Sequence, residues 1–241
     1  MPFLDPVFWT ALAKIIGVNV VLSGDNAVVI ALAARSLAPR EQKRAIFWGS
    51  GAAIALRIVL TLFAVALLGV PWLKLAGAVL LVWIGVKLLL PAEGGPEVLA
   101  GDNVWAAVKT ILVADLVMST DNVVAVAAAA GGDWILMAIG LAISIPLVIF
   151  GATLLVGLME RWPAIVTIGA GLLGFVAGEM AWEDLAIASL TAPWPGSMRY
   201  AVALACAALV VALGQLLARP HGTAGARAQA AHEEKRSEQG P

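Results

Sequence analysis

Two carboxylate–carboxamide pairs lie where their neighbours are those of a hydrocarbon environment: Asp25-Asn26 in VVLSGDN (20–26) and Asp121-Asn122 in VMSTDN (117–122). Asp115 and Arg57 are also enclosed by apolar stretches. An ionisable side chain near the bilayer centre costs about 2.5–3.5 kcal/mol on insertion scales, so these groups must face one another, water or a bound ion. Asn19, Ser23, Ser119 and Thr120 stand close by in sequence, so the chemistry on offer is carboxylate, amide and hydroxyl oxygen. His221 and His232 sit near the C-terminus, and Cys206 is the lone cysteine. Oxygen-only sites suit magnesium, calcium and manganese rather than zinc or copper. Three acids suit a divalent cation, with Arg57 or a proton compensating when the ion has left. Manganese is the ion of this set that a cell most needs to expel.

The elements that must position these groups are membrane spans. The chain is 61% hydrophobic and 13% charged, against roughly 25% charged in an average soluble domain. A spanning helix takes about 20 apolar residues. Stretches of that kind run over about 8–34, 45–69, 71–90, 104–130, 134–157, 164–182 and 199–218. They are apolar all round, without the period-two alternation of a spanning barrel. The expectation is an all-α polytopic membrane protein with seven transmembrane helices over 1–218 and a disordered polar tail over 219–241. The N-terminus MPFLDPVFW lacks the basic start of a cleavable signal. No phosphate-binding loop and no Ser/His/Asp set is visible, so an enzyme is not expected and transport would be secondary.

Loop charges orient the spans. RSLAPREQKR (35–44) carries four basic residues against one acid, and Arg161, Arg219, Arg227, Lys235 and Arg236 fall on the same side if the spans alternate. By the positive-inside rule the N-terminus is then outside and the C-terminus cytoplasmic, in a bacterial inner membrane.

An internal repeat organises the spans. Residues 20–34 align with 116–130 at eight of fifteen positions, and GAVLLVWIGVK (77–87) resembles GAGLLGFVAGE (169–179). Spans one to three (about 8–90) and four to six (about 104–182) read as two copies of a three-helix unit, with helix seven (about 199–218) added. An odd number of spans per copy makes the copies inverted, a plan in which substrate binds near the midplane between them. At about 100° per residue, Asp115, Ser119 and Asn122 share one helix sector, as do Asn19, Ser23 and Asn26. Asp25 and Asp121 point elsewhere. Either the helices unwind at Gly24 and Thr120 so that all converge, or Asn lines the cavity while Asp reaches a third helix and Arg57. Ser-Gly-Asp-Asn is turn and cap vocabulary, which favours unwinding.

LSGDNAVVIALAARSL, DLVMSTDNVVAVAAAAGG and GAGLLGFVAGEM together resemble the TerC family of integral membrane proteins, in particular its YjbE-type branch. The resemblance implies a seven-span fold related to the lysine-exporter superfamily and a role in manganese export or homeostasis. It implies a conduction site of Asp25, Asn26, Asp121 and Asn122 with Asp115 beside them. Many family members carry an acid where this chain has Asn19, which gives this site one charge fewer. Ion movement would proceed by alternating access, with a proton replacing the ion on return.

Less specific readings apply elsewhere. Lys14, Lys74, Lys87 and Lys109 lie near span ends and are expected to snorkel. Trp9, Trp72, Trp134, Trp162 and Trp194 are interfacial anchors. Glu179, Glu183 and Asp184 form either an exit vestibule for a cation or a solvated helix end. Arg57 is a gate or counter-ion, or simply the partner of Asp25. The expected partners are a divalent cation as substrate and the lipid bilayer, with no nucleic acid and no resident cofactor. The rival functions are a non-transporting scaffold or accessory protein, and a carrier of another cation such as calcium.

Overall fold

The computed structural model describes residues 6–63, 69–90, 100–130 and 133–218. The tail over 219–241 lies outside the described residues, as does the side chain of Asp121. Regular structure among the described residues is helical throughout. In chain order the helices are α1 (Pro6–Leu22), α2 (Gly24–Ala34), α3 (Pro39–Leu62), α4 (Leu73–Leu89), α5 (Ala100–Ala130), α6 (Trp134–Arg161) and α7 (Ala164–Trp182). A 3₁₀ turn (Leu185–Ile187), the short α8 (Ala188–Thr191) and α9 (Met198–Ala218) follow.

Four of the described helices are long and apolar enough to cross a bilayer, and five if α1 and α2 count as one span bent by 49°. The other two expected spans, 71–90 and 104–130, are helical over Leu73–Leu89 and Ala100–Ala130. Local chemistry sets several ends. Pro39 opens α3 at a position where its missing N–H costs nothing. Asp133 caps α6 by accepting the N–H groups of Ile135 and Leu136, both at 3.0 Å.

Several helices pack along one another. α3 packs along α5, and α6 packs along α1 and α2; α4 and α7 lie together, and both hold α9. The core is formed where these pairs meet, around Leu32, Ile46, Leu81, Ile111 and Leu173. Large apolar side chains such as Phe150, Ile168 and Leu204 face outward, as a lipid-solvated bundle requires. Close approach is enabled by glycine at two places. A Cβ on Gly178 would lie 2.5 Å from the Ala203 Cα, and one on Gly174 would lie 2.7 Å from the Cys206 carbonyl oxygen, so α7 and α9 touch through their backbones. The matched glycines of the two copies, Gly77 and Gly169, admit Val117 of α5 and Val28 of α2 respectively.

Polar contacts among helix ends and loops gather at two ends of the bundle. At one end Arg35 Nη2 donates to the Leu88 carbonyl at 2.8 Å, and Gln42 Nε2 donates to Glu160 at 3.2 Å. At the other, Lys74 pairs with Glu183 at 3.1 Å, and Asp184 binds the start of α4.

Candidate functional site

Arg57, 2% exposed, projects from α3 into the space between α1 and α5. Its Nη2 pairs with Asp115 at 2.6 Å and its Nε donates to Ser119 Oγ at 2.9 Å, both on α5. Its Nη1 donates to Asn19 Oδ1 at 2.9 Å and to Ser23 Oγ at 3.0 Å, at the end of α1. Asn19 and Ser23 occupy the same repeat positions as Asp115 and Ser119, 96 residues apart. The guanidinium therefore takes one matched pair from each copy. Ser119 closes the ring by donating to Asp115 Oδ2 at 3.0 Å. One arginine faces one carboxylate and one amide, which is why Asn19 suits this chain: a second acid here would leave the buried cluster with an unpaired negative charge.

The expectation of paired helix breaks needs correcting. The first copy does break: α1 stops at Leu22, Ser23 leaves helical geometry, and α2 restarts at Gly24 with Asp25 in its first turn. A carboxylate is favoured there by the orphan N–H groups and the positive end of the helix, and Asp25 accepts the Asn26 N–H at 2.8 Å. The second copy does not break, and α5 runs unbroken through Thr120. Thr120 stands where the first copy has Gly24, and glycine costs a helix more than threonine. Its hydroxyl bonds back to the Leu116 carbonyl at 3.0 Å, so the helix absorbs it.

This asymmetry explains the two asparagines. The break frees the Leu22 carbonyl, and Asn122 Nδ2 donates to it at 3.1 Å. The matching carbonyl in the second copy belongs to Met118, which sits inside the unbroken α5. Asn26, 4% exposed, consequently has neither its amide nitrogen nor its oxygen paired within the described protein. It borders a small cavity of about 10 Å³ shared with Asp115, Val29 and Ile30, about the least room that can hold one water.

Of the three acids, Asp25 and Asp115 are described with their side chains, and these two go to different places. Asp115 belongs to Arg57, whereas Asp25 lines a half-open cleft of about 330 Å³ with Asn122, Met118, Glu179, Met180 and Arg199 among its walls. Among the described residues no three histidine, cysteine or carboxylate side chains form a metal-holding group. Of the readings open for Arg57, the ion pair it makes is with Asp115 and not with Asp25. Glu179 and Glu183 stand at the cleft, and Glu183 is tied to Lys74 at 3.1 Å and Arg199 at 3.7 Å. Sequence reading missed Met118, Met180 and Arg199. The helical spacing of Met118 to Asn122 was the available signal for the first of these.

Asp184 is separate from the cleft and acts on the fold. Its Oδ1 accepts the N–H groups of Trp72 (2.9 Å) and Ala186 (2.7 Å), and Oδ2 that of Leu75 (2.8 Å). It thereby holds the start of α4 against the end of α7, where Trp72 adopts a left-handed backbone (φ 70°) that costs about 1–2 kcal/mol. Burial alone would raise this carboxyl's pKa, but the backbone N–H groups of Ala186, Leu75, Trp72 and Lys74 outweigh it and hold the pKa below the usual range. The stability it contributes is present above the unfolded pKa of about 3.9 and is lost as pH falls through the lower folded value. Asp184→Ala is expected to cost about 1–3 kcal/mol at neutral pH and to flatten the acid limb of the melting profile in detergent; an unchanged acid limb would exclude this role.

Comparison with known proteins agrees with a membrane protein. The chain is 41% identical over 174 residues to the uncharacterized membrane protein YjbE of Bacillus subtilis (strain 168), covering 72% of this chain and 80% of that protein. It is 27% identical over 187 residues to YceF, covering 73% and 72%, and 27% identical over 199 residues to YkoY, covering 74% and 61%. Both are uncharacterized membrane proteins of the same organism. No solved structure matches significantly. Residues 4–221 match the integral membrane protein TerC family, and the chain belongs to that family.

Proposed function

We propose that the chain is a secondary transporter that exports divalent metal cations, with manganese the ion it serves best. One observation carries this reading: the Asp25 carboxylate, at a broken helix inside an apolar bundle, is left out of the Arg57 cluster and lines an open cleft with Asn122 and Glu179. A carboxylate serving only the fold would be paired as Asp115 is. A cation entering the cleft meets carboxylate and amide oxygen, the donor chemistry of manganese and its hard neighbours.

Seven spans in two inverted copies plus a seventh helix fit the pairings of α3 with α5 and of α6 with α1–α2. The loop bonds fit alternate crossing, because Arg35, Leu88 and Glu160 share one end while Lys74, Glu183 and Asp184 share the other. With the basic 35–44 loop in the cytoplasm, the cleft opens outward. The asymmetry of the copies supplies a route for alternating access. Healing α1–α2 and opening α5 at Ser119–Thr120 would free the Met118 carbonyl for Asn26 and withdraw Leu22 from Asn122. The two asparagines exchange roles, and the cleft exchanges sides.

The test is efflux from proteoliposomes holding the purified full chain, with manganese, calcium, magnesium and zinc compared side by side. Manganese is expected to move fastest. If none of the four ions crosses faster than in empty vesicles, the transporter reading fails and a non-transporting scaffold takes its place.

A further inference from the structure

The cleft that carries Asp25 is lined by acidic and amide residues and also by two methionines. Met118 and Met180, 3% and 4% exposed, contribute to its wall beside Asp25 and Asn122. The chain has six methionines, and two of them meet at this one cleft from different helices. Met118 lies one helical turn before Asn122 on α5, so the thioether and the amide share a face. Met180 follows Glu179 on α7, and its terminal methyl lies 3.2 Å from where a Cβ on Gly77 would be, wedged against α4. That contact anchors the far end of an otherwise flexible side chain. Leucine would fill either position with similar volume and equal helix propensity. Packing alone therefore does not call for sulfur at both places.

We propose that Met118 and Met180 bias this site towards soft divalent cations, cadmium foremost, and against the hard cations calcium and magnesium. The inference rests on the transport reading above. Thioether sulfur is a neutral, polarizable donor. It offers nothing to replace the water shed by a hard cation, which demands oxygen, but it interacts favourably with transition-metal and cadmium ions. Asp25 and Asn122 supply the charge and the oxygen that any divalent cation needs. The two sulfurs then act on the difference between cations, and a difference of affinities is what selectivity is.

The experiment compares the full chain with Met118→Leu, Met180→Leu and the double variant. Cadmium, manganese and calcium binding are measured by calorimetry in detergent, and flux is measured in proteoliposomes. The wild type is expected to bind cadmium more tightly than calcium. The double variant is expected to lose roughly tenfold or more of its cadmium-over-calcium preference, a size typical of losing supporting contacts at a metal site, while calcium binding and the melting temperature hold. Should the double variant fail to fold, each single variant is read by the same ratio. An unchanged ratio, or an equal fall for all three ions, would overturn the proposal while leaving transport standing. A wild type that binds and moves none of the ions overturns the transport reading itself, and this is visible before any variant is made.

Discussion

Arg57→Ala is expected to be the most destabilising single substitution in the bundle, at about 3–5 kcal/mol, the range seen when one partner of a buried ion pair is removed. The guanidinium is bonded to Asn19, Ser23, Asp115 and Ser119 at once. Its removal strands a 5%-exposed carboxylate and unties α3 from both α1 and α5. Individual polar contacts between membrane helices average only about 0.6 kcal/mol, so most of the loss comes from the stranded charge and not from the bonds. Arg57→Met combined with Asp115→Leu should therefore recover much of the stability lost in Arg57→Ala, because no charge remains buried. Arg57→Lys should fall between, since a point ammonium cannot serve two helices through a planar fork. Thermal melting in detergent reads all three. An Arg57→Ala protein that melts with the wild type would show that the cluster holds nothing together.

Asp25→Asn is expected to abolish transport with the fold intact, the reverse of what Asp115→Asn should do. Asp25 accepts a hydrogen bond from the N–H of the next residue, and an asparagine oxygen can accept it as well. What the substitution removes is the negative charge facing the cleft. Loss of an outer partner at a metal site costs about 10–100-fold in affinity, and a directly contacting anion should cost at least the upper end of that range. Asp115→Asn instead leaves the cleft lining untouched and neutralises the partner of a buried arginine, so its first effect is on stability. Efflux and melting temperature measured on both variants separate the roles. If Asp25→Asn transports normally, or if both variants lose flux and stability together, the division of labour between the two carboxylates is wrong.

Much of this was legible in the chain itself. Apolar runs of spanning length located the helices, and the duplicated Ser-x-Asp-Asn marked candidate residues within them, because burying charge in a bilayer is costly enough to need a reason. Helix periodicity also grouped Asn19 with Ser23 and Asp115 with Ser119, and those four are the residues that surround Arg57. Periodicity could not say what they surround. It included Asn26 and Asn122 in the same sectors, and the structure sends Asn122 to a carbonyl and gives the Asn26 amide no partner among the described residues.

What only the tertiary structure decided follows from the difference between local and shared constraints. Composition and repeat are properties of one segment at a time, so the sequence by itself determined a helical membrane bundle with two related halves and oxygen donors within it. Two near-identical motifs, however, cannot both break and both remain helical around a single arginine. Which one yields depends on whose carbonyl is capped by whose amide, and on the difference between Gly24 and Thr120 within that packing. The same packing assigned Asp115 to Arg57 and left Asp25 to the cleft. It also brought Met118 and Met180 together from helices 62 residues apart in sequence, a meeting that no periodicity along either helix contains.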